Sequence, residues 1–351
     1  MTLLEINDLK TYYNTDEGQV HAVDGVSLEL EENETLGFVG ESGSGKTTLA
    51  RSINQVLSDN AEIVDGEVIF EGVDLTELSE KELREYRWEE ISLIPQNAMN
   101  ALDPVYTIQE QIVQVIRTHR DGVSKSAARE RAAEMFELVG LDENRLTDYP
   151  HQFSGGMKQR ALIALALALE PKLVLADEPT TALDVIIQKR ILERISQLQD
   201  EMDLSMILVT HDISVVSETC DRIAVFYGGH LVEYADARSI IKDPRHPYTM
   251  GLQNAFPSIE VGDQNLISIP GEPPDLTEPE DQCLFAERCP FAEEECFERA
   301  PERREIEEDH YVECHYAEEK EYLQREASKA ETWSETHESP ATVADGGDED
   351  D

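Results

Sequence analysis

Basic residues are scarce in this chain. Its 351 residues include 29 Lys and Arg against 75 Asp and Glu, for a formal net charge of −46. Nucleic-acid binding needs Lys and Arg to neutralise phosphates, so this balance argues against it. The acidity is not confined to one tail, since Glu29, Glu31, Glu32, Glu34 and the stretch from Glu80 to Glu90 share it. Such charge repels itself at low salt. At about 1 M salt the screening length falls to about 3 Å. The expectation is a halophile's cytoplasmic protein. Long apolar runs are also missing. The longest, Ala161 to Leu169, is too short to span a bilayer and stops at Glu170-Pro171. It reads as a buried core helix. Met1 to Lys10 lacks the basic start and apolar run of a secretion signal. The expectation is a soluble chain with no direct membrane insertion, associated with membranes only through partner proteins.

The sequence does contain a phosphate cradle. Gly40-Glu41-Ser42-Gly43-Ser44-Gly45-Lys46-Thr47 follows the apolar run Thr35 to Val39 and precedes the helix-like Thr48 to Ile53. Glycines let the backbone curl so that successive N–H groups face an anion. The helix start adds partial positive charge and unpaired donors. Lys46 is placed to reach the β- and γ-phosphates, and Thr47 to ligate Mg²⁺. Further on, Phe153-Ser154-Gly155-Gly156-Met157 leads into the apolar run, and Leu173 to Ala176 reads as a buried strand ending in Asp177 and Glu178. Asp177 can hold Mg²⁺, directly or through water, and Glu178 can orient or deprotonate an attacking water. Ser154 is a good N-cap, and Gly155 and Gly156 allow close approach at a second helix start. One triphosphate needs only one cradle, so the second anion site is in excess.

From about Leu3 to Tyr316 the chain resembles the ATP-binding subunit of ABC transporters. That resemblance implies an α/β fold, a P-loop NTPase of the ABC type. It has a RecA-like core, an antiparallel β subdomain and a helical subdomain over about 97–160, together filling residues 1–255. It implies that Gly40 through Thr48 bind ATP, with Tyr13 stacking on adenine and Tyr12 a competitor for that role. Gln96 matches the glutamine that senses Mg²⁺ and the membrane partner, and His211 the histidine that contacts the γ-phosphate. Asp184 matches a loop that crosses the dimer interface. The excess anion site is resolved as well: Ser154, Gly155 and Gly156 of one subunit act on the partner's ATP. The family usually has Gln where this chain has Met157, a variation familiar in peptide-importer ATPases. From the residues themselves, 184–202 reads as an amphipathic helix.

Arg245-His246-Pro247-Tyr248-Thr249 and Ile269-Pro270-Gly271-Glu272-Pro273-Pro274 are, physically, Pro-rich turns. They resemble the C-terminal extension of oligopeptide and dipeptide importer ATPases, expected over 256–316 as a small loop-rich module. Residues 317–351 are polar and acidic and are expected to be disordered. Four of the five cysteines, Cys283, Cys289, Cys296 and Cys314, fall in the extension, and Cys220 reads as a buried apolar residue. A clustered quartet in a cytoplasmic protein suggests metal rather than disulfides. The openings are a [4Fe-4S] cluster, carried by several members of the peptide-importer branch, zinc with His310 or His315 involved, or no metal. A cluster is expected to be structural, outside the phosphate chemistry. The function implied is ATP hydrolysis that powers dipeptide or oligopeptide import. The partners implied are a second, paralogous ATPase subunit, two permease subunits and an extracellular binding protein, with this chain on the cytoplasmic face of the cell membrane. Rivals are another solute, such as a sugar or nickel, or a soluble ABC ATPase in DNA repair or translation.

Overall fold

The structure, a computed structural model, describes residues 1–96, 101–179, 188, 196–197, 199, 202–255, 267–277, 279 and 281–334. Asp184 and most of the helix expected over 184–202 lie outside the described residues.

Two sheets organise the chain. The first is antiparallel, in the order β2-β1-β4-β5. Its strands are β1 (Thr2–Thr15), β2 (Gly18–Glu31), β4 (Ala61–Phe70) and β5 (Val73–Asp74). Alternation in β1 and β2, reset by a register shift between Ile6 and Leu9, sends Leu4, Ile6, Leu9, Val26, Leu28 and Leu30 into one cluster with Leu36 and Phe38 of the core.

The second sheet has eight strands in the order β11-β12-β10-β9-β3-β8-β7-β6. Its centre is parallel: β3 (Thr35–Val39), β6 (Ile91–Ile94), β7 (Leu173–Asp177), β8 (Ser205–Thr210) and β9 (Arg222–Tyr227). Every residue of β3, β7 and β8 is buried. That explains why they read as continuous apolar runs: parallel strands are covered on both faces. Because these strands are parallel, their carboxyl ends share one edge. The residues that follow, Gly40 after β3, Gln96 after β6, Glu178 after β7 and His211 after β8, are therefore neighbours. That edge is where open parallel sheets bind ligands.

A helical segment packs beside this core. Helices Ile108–His119, Lys125–Leu138 and Gly155–Ala166 start at Thr107, Ser124 and Ser154, each with a side-chain oxygen accepting from a first-turn N–H. Ile108, Ile112, Val113 and Ile116 form the buried stripe of the first.

The C-terminal region adds to one expectation and corrects another. The stretch expected as a loop-rich module is also tied to the core sheet, because β12 (His310–Val312) pairs antiparallel with β10 (His230–Asp236), and β11 (Arg304–Glu307) pairs with β12. The pairing is locked by Glu233, fully buried in β10, which accepts from the N–H groups of Arg245 and His246 and contacts His310 Nε2 at 2.8 Å. A buried carboxylate needs such partners. The expectation of disorder from residue 317 onward is corrected over 317–334. Residues 317–334 form a 3₁₀ turn, the helix Lys320–Ala327 and a second turn, Ala330–Trp333. Four of their apolar residues, Ala317, Leu323, Ala327 and Trp333, are buried, while Tyr322 is exposed. Trp333 lies against Gly251, where a Cβ would stand 2.8 Å from the indole. Lys320 and Gln324 bond Asp243, whose carboxyl is held down at about 2 by these bonds and Arg245, despite its partial burial. A handful of well-spaced apolar anchors orders a segment whose composition alone is that of a solvated chain.

Candidate functional site

The loop after β3 is shaped by glycine. Gly43 and Gly45 sit at φ +83° and +99°. A Cβ on Gly45 would come within 2.1 Å of the Ala22 carbonyl oxygen, so the loop presses against β2 with no room for a side chain. Lys46, the first residue of the helix Lys46–Ile53, turns its ammonium back into the loop. It donates to the Gly40 carbonyl (2.8 Å), the Glu41 carbonyl (2.7 Å) and Ser44 Oγ (3.0 Å). Burial pushes its pKa down to about 8, against the opposing pull of Glu178, Asp177 and Glu41. A cation held in the cradle at that cost is suited to a polyanion, which supplies the missing counter-charge.

Thr47 Oγ1 donates to Asp177 Oδ1 at 2.9 Å. Asp177 is buried at the end of β7, and burial raises its pKa. A hydroxyl and a carboxylate at this spacing are hard oxygen donors that fit Mg²⁺, which keeps its remaining sites for water and phosphate oxygens.

Glu178 follows in the left-handed region, at φ +45°. A non-glycine residue there stores about 1–3 kcal/mol of strain, and such strain clusters at functional sites. Its backbone N–H donates to the Val209 carbonyl at 2.9 Å, which fixes the turn. Gln96 Nε2 donates to Glu178 Oε2 at 2.8 Å, and His211 Nδ1 lies 3.2 Å from Glu178 Oε1. Three strand ends thus bring Gln96, Glu178 and His211 into one cluster next to Lys46 and Asp177. A carboxylate held this way can accept a proton from a bound water.

Of the two candidate aromatics, Tyr12 is occupied. It stacks on His21 at 3.8 Å between centroids and donates to Asp24 at 3.0 Å. The Tyr13 hydroxyl lies 3.2 Å from Thr48 Oγ1, at the first turn of the helix after the cradle. Ser154 caps its helix by accepting from Met157 N–H, and it is exposed, as are Gly155 and Gly156 in part. Among the described residues no hydrogen bond joins Ser154 to the loop at Gly40–Lys46.

The four late cysteines are neighbours. Cys283, Cys289, Cys296 and Cys314 line one small cavity with Phe285, Phe291 and Leu323. All are free thiols. Burial pushes Cys283 and Cys314 up to about 12, and Cys289 and Cys296 upward as well. Among the described residues no group of three or more His, Cys, Asp or Glu is arranged to hold a metal ion. This region also reaches the phosphate loop, through Arg288. Immediately before Cys289, it donates to both Glu41 oxygens, at 2.7 and 2.9 Å. Arg288 carried no sequence signal; Tyr248, which accepts from Glu41 N–H at 2.8 Å, lay in a motif read only as a turn.

No described helix is long and apolar enough to cross a membrane. The ABC transporter family matches residues 23–181, and the oligopeptide/dipeptide transporter C-terminal region matches residues 232–296. The chain is 46% identical to the oligopeptide transport ATP-binding protein OppD of Bacillus subtilis, over 88% of this chain and 87% of that protein. It is 42% identical to the dipeptide transport ATP-binding protein DppD of Lactococcus lactis, over 88% and 89%. Among solved structures, the dimeric ATP-binding cassette MJ0796 bound to ADP and Pi matches with a TM-score of 0.61 and 30% identity, over 67% of this chain and 99% of that one. A glycine cradle with a buried lysine, a carboxylate pair at the end of a buried strand and relatives matched along most of their length agree. This chain belongs to the ATP-binding subunits of ABC transporters, in the branch that carries the oligopeptide/dipeptide transporter C-terminal region, and is an ATPase that works with Mg²⁺.

Proposed function

We propose that this chain hydrolyses ATP to power import of dipeptides or oligopeptides, from the cytoplasmic face of the cell membrane. The observation that carries the reading is the cluster of Gln96, Glu178 and His211 beside Lys46, Thr47 and Asp177. In it, Gly40 to Thr48 hold the phosphates, Tyr13 stacks on the base, Thr47, Gln96 and Asp177 serve Mg²⁺, and Glu178 takes the proton of the attacking water. His211 reports the γ-phosphate. Ser154, Gly155 and Gly156 complete the site of a second, paralogous ATPase subunit, and Asp184 lies at their interface. The solvent-facing position of Ser154 supports this, because a group acting in trans must be reachable. ATP touching both subunits only in the closed dimer is what favours closure.

Two permease subunits receive that movement, and an extracellular binding protein delivers the peptide. An apolar cleft of about 570 Å³ supports a permease contact. It is lined by Trp88, Leu93, Pro95, Tyr106, Val115 and His119 and runs from the strand before Gln96 to the helical segment. The cysteine quartet is read as holding a [4Fe-4S] cluster. What supports it is that thiolates are the ligands of such clusters and that the four cysteines line one cavity, although they are not already arranged around a metal ion. Anaerobically purified protein is expected to be brown with about four irons per chain. A colourless preparation with stoichiometric zinc shifts the reading to zinc, and neither metal removes it. The high-salt reading rests on the net charge alone.

The whole reading is tested in vesicles carrying this chain with its permease and paralogous subunits. Ser154→Arg is expected to leave MgATP binding at this chain's own cradle intact, while turnover at the composite site and peptide uptake fall to background. Loss of binding to the isolated subunit would refute the action in trans. Uptake of a sugar or nickel rather than peptide by the unsubstituted assembly would refute the substrate.

A further inference from the structure

We propose that Arg288 is a positioning residue for ATP binding: from the C-terminal region it grips Glu41 of the phosphate loop at two points and cancels a carboxylate carried by an anion-binding loop. The proposal needs only that this loop binds phosphate, and stands whatever the transported solute.

Glu41 is held by three handles. Its N–H donates to the Tyr248 hydroxyl at 2.8 Å, its carbonyl accepts from Lys46 Nζ at 2.7 Å, and its carboxylate accepts from Arg288 Nη1 and Nη2. The middle contact ties Glu41 directly to the ammonium in the cradle. Arg288 is itself rigid. It is 5% exposed, and its Nε donates to the Pro270 carbonyl at 2.8 Å, while Nη1 lies 3.2 Å from the Tyr227 hydroxyl. A fork–fork pair fixes orientation as well as distance. The turn Ala286–Arg288 is closed by Ala286 N–H to the Cys283 carbonyl, Arg288 N–H to the Phe285 carbonyl and Cys289 N–H to the Ala286 carbonyl. Phe285 packs edge-on against Tyr227 and Tyr248, at 5.1 and 5.4 Å between centroids. One cluster therefore delivers two of the three groups that hold Glu41, the Arg288 guanidinium and the Tyr248 hydroxyl.

The electrostatic reason is simple. A loop that receives a triphosphate is a poor place for an unpaired carboxylate, because like charges at close range oppose each other in a partly buried site. Pairing with Arg288 removes that opposition and pins the loop.

Calorimetric titration of MgATP into the full-length chain tests this. Arg288→Met is expected to raise the Kd about tenfold or more, the scale of a lost hydrogen-bonded charge pair. The rate at saturating MgATP is expected to change little, since Gln96, Glu178 and His211 are bonded elsewhere. Glu41→Gln alone is expected to cost about threefold or less, since an amide still accepts from Arg288. The double variant is expected to recover to the Glu41→Gln level, because the stranded carboxylate is gone. A merely structural role gives no such recovery. Wild-type affinity in Arg288→Met, or a double variant no better than Arg288→Met, would overturn the proposal. If Arg288→Met does not fold, Arg288→Gln carries the same test, with the same expected loss and the same recovery on adding Glu41→Gln.

Discussion

Glu178→Gln is expected to bind MgATP with near wild-type affinity and to hydrolyse it about 10²–10⁴ times more slowly, the span that a positioned general base contributes. The change is nearly isosteric. It keeps a carbonyl oxygen beside His211 and a polar end beside Gln96, so the cluster retains its shape. It removes the basic oxygen alone. Lys46 and Thr47, proposed to hold phosphate and Mg²⁺, are untouched, so binding is expected to survive while the chemistry stops. With hydrolysis blocked, the ATP-bound closed dimer accumulates and appears by size-exclusion chromatography in the presence of ATP. Turnover at the wild-type rate would remove Glu178 from the role of base.

Gly45→Ala is expected to lower MgATP affinity at least about 100-fold and to lower the melting temperature as well. Two costs coincide at this residue. Its φ of +99° is one that L side chains rarely adopt, at a penalty of about 1–2 kcal/mol. The new Cβ would also sit 2.1 Å from the Ala22 carbonyl oxygen, a backbone atom of β2 that cannot swing aside as a side chain can. Relief requires the loop to move away from the sheet. That displaces Lys46 and Thr47, the next two residues, from the phosphates and from Asp177. A misplacement of about 1 Å at a reacting centre costs about 10²-fold in rate, so turnover is expected to fall along with affinity. Wild-type nucleotide affinity in Gly45→Ala would show that the loop tolerates the shift.

Much of the nucleotide site was legible because its parts are local. The glycine cradle is eight consecutive residues, and a strand, a turn and a helix start announce themselves by composition. Glu178 was readable as a carboxylate at the end of a buried apolar strand, whereas Gln96 and His211 were picked out by the family resemblance. Their meeting was not readable from residue pattern alone, because it depends on β6, β7 and β8 lying parallel with their ends at one edge. The C-terminal region was the least legible. β11 is Arg304-Glu305-Ile306-Glu307, a run with no apolar stripe. It is a strand because β12, itself laddered to β10, offers it an edge. The helix Lys320–Ala327 and Trp333 were hidden by polar neighbours, and they are ordered by the surface they find.

The sequence by itself determined the chemistry of this protein: a loop that binds phosphate, a lysine and a threonine to serve it, and two carboxylates at a strand end. Each of these depends on residue type within a short window, where local backbone preference and strand burial decide the outcome. Only the tertiary structure decided what holds the loop in place. Glu41 and Arg288 are 247 residues apart, and nothing in either neighbourhood marks the other. Their pairing exists because the chain returns after β10, packs Phe285 on Tyr227 and Tyr248, and leaves the guanidinium one acceptor to complete its fork. A buried charge takes the partner that the fold places within reach, and that placement is a property of the whole packing rather than of any segment.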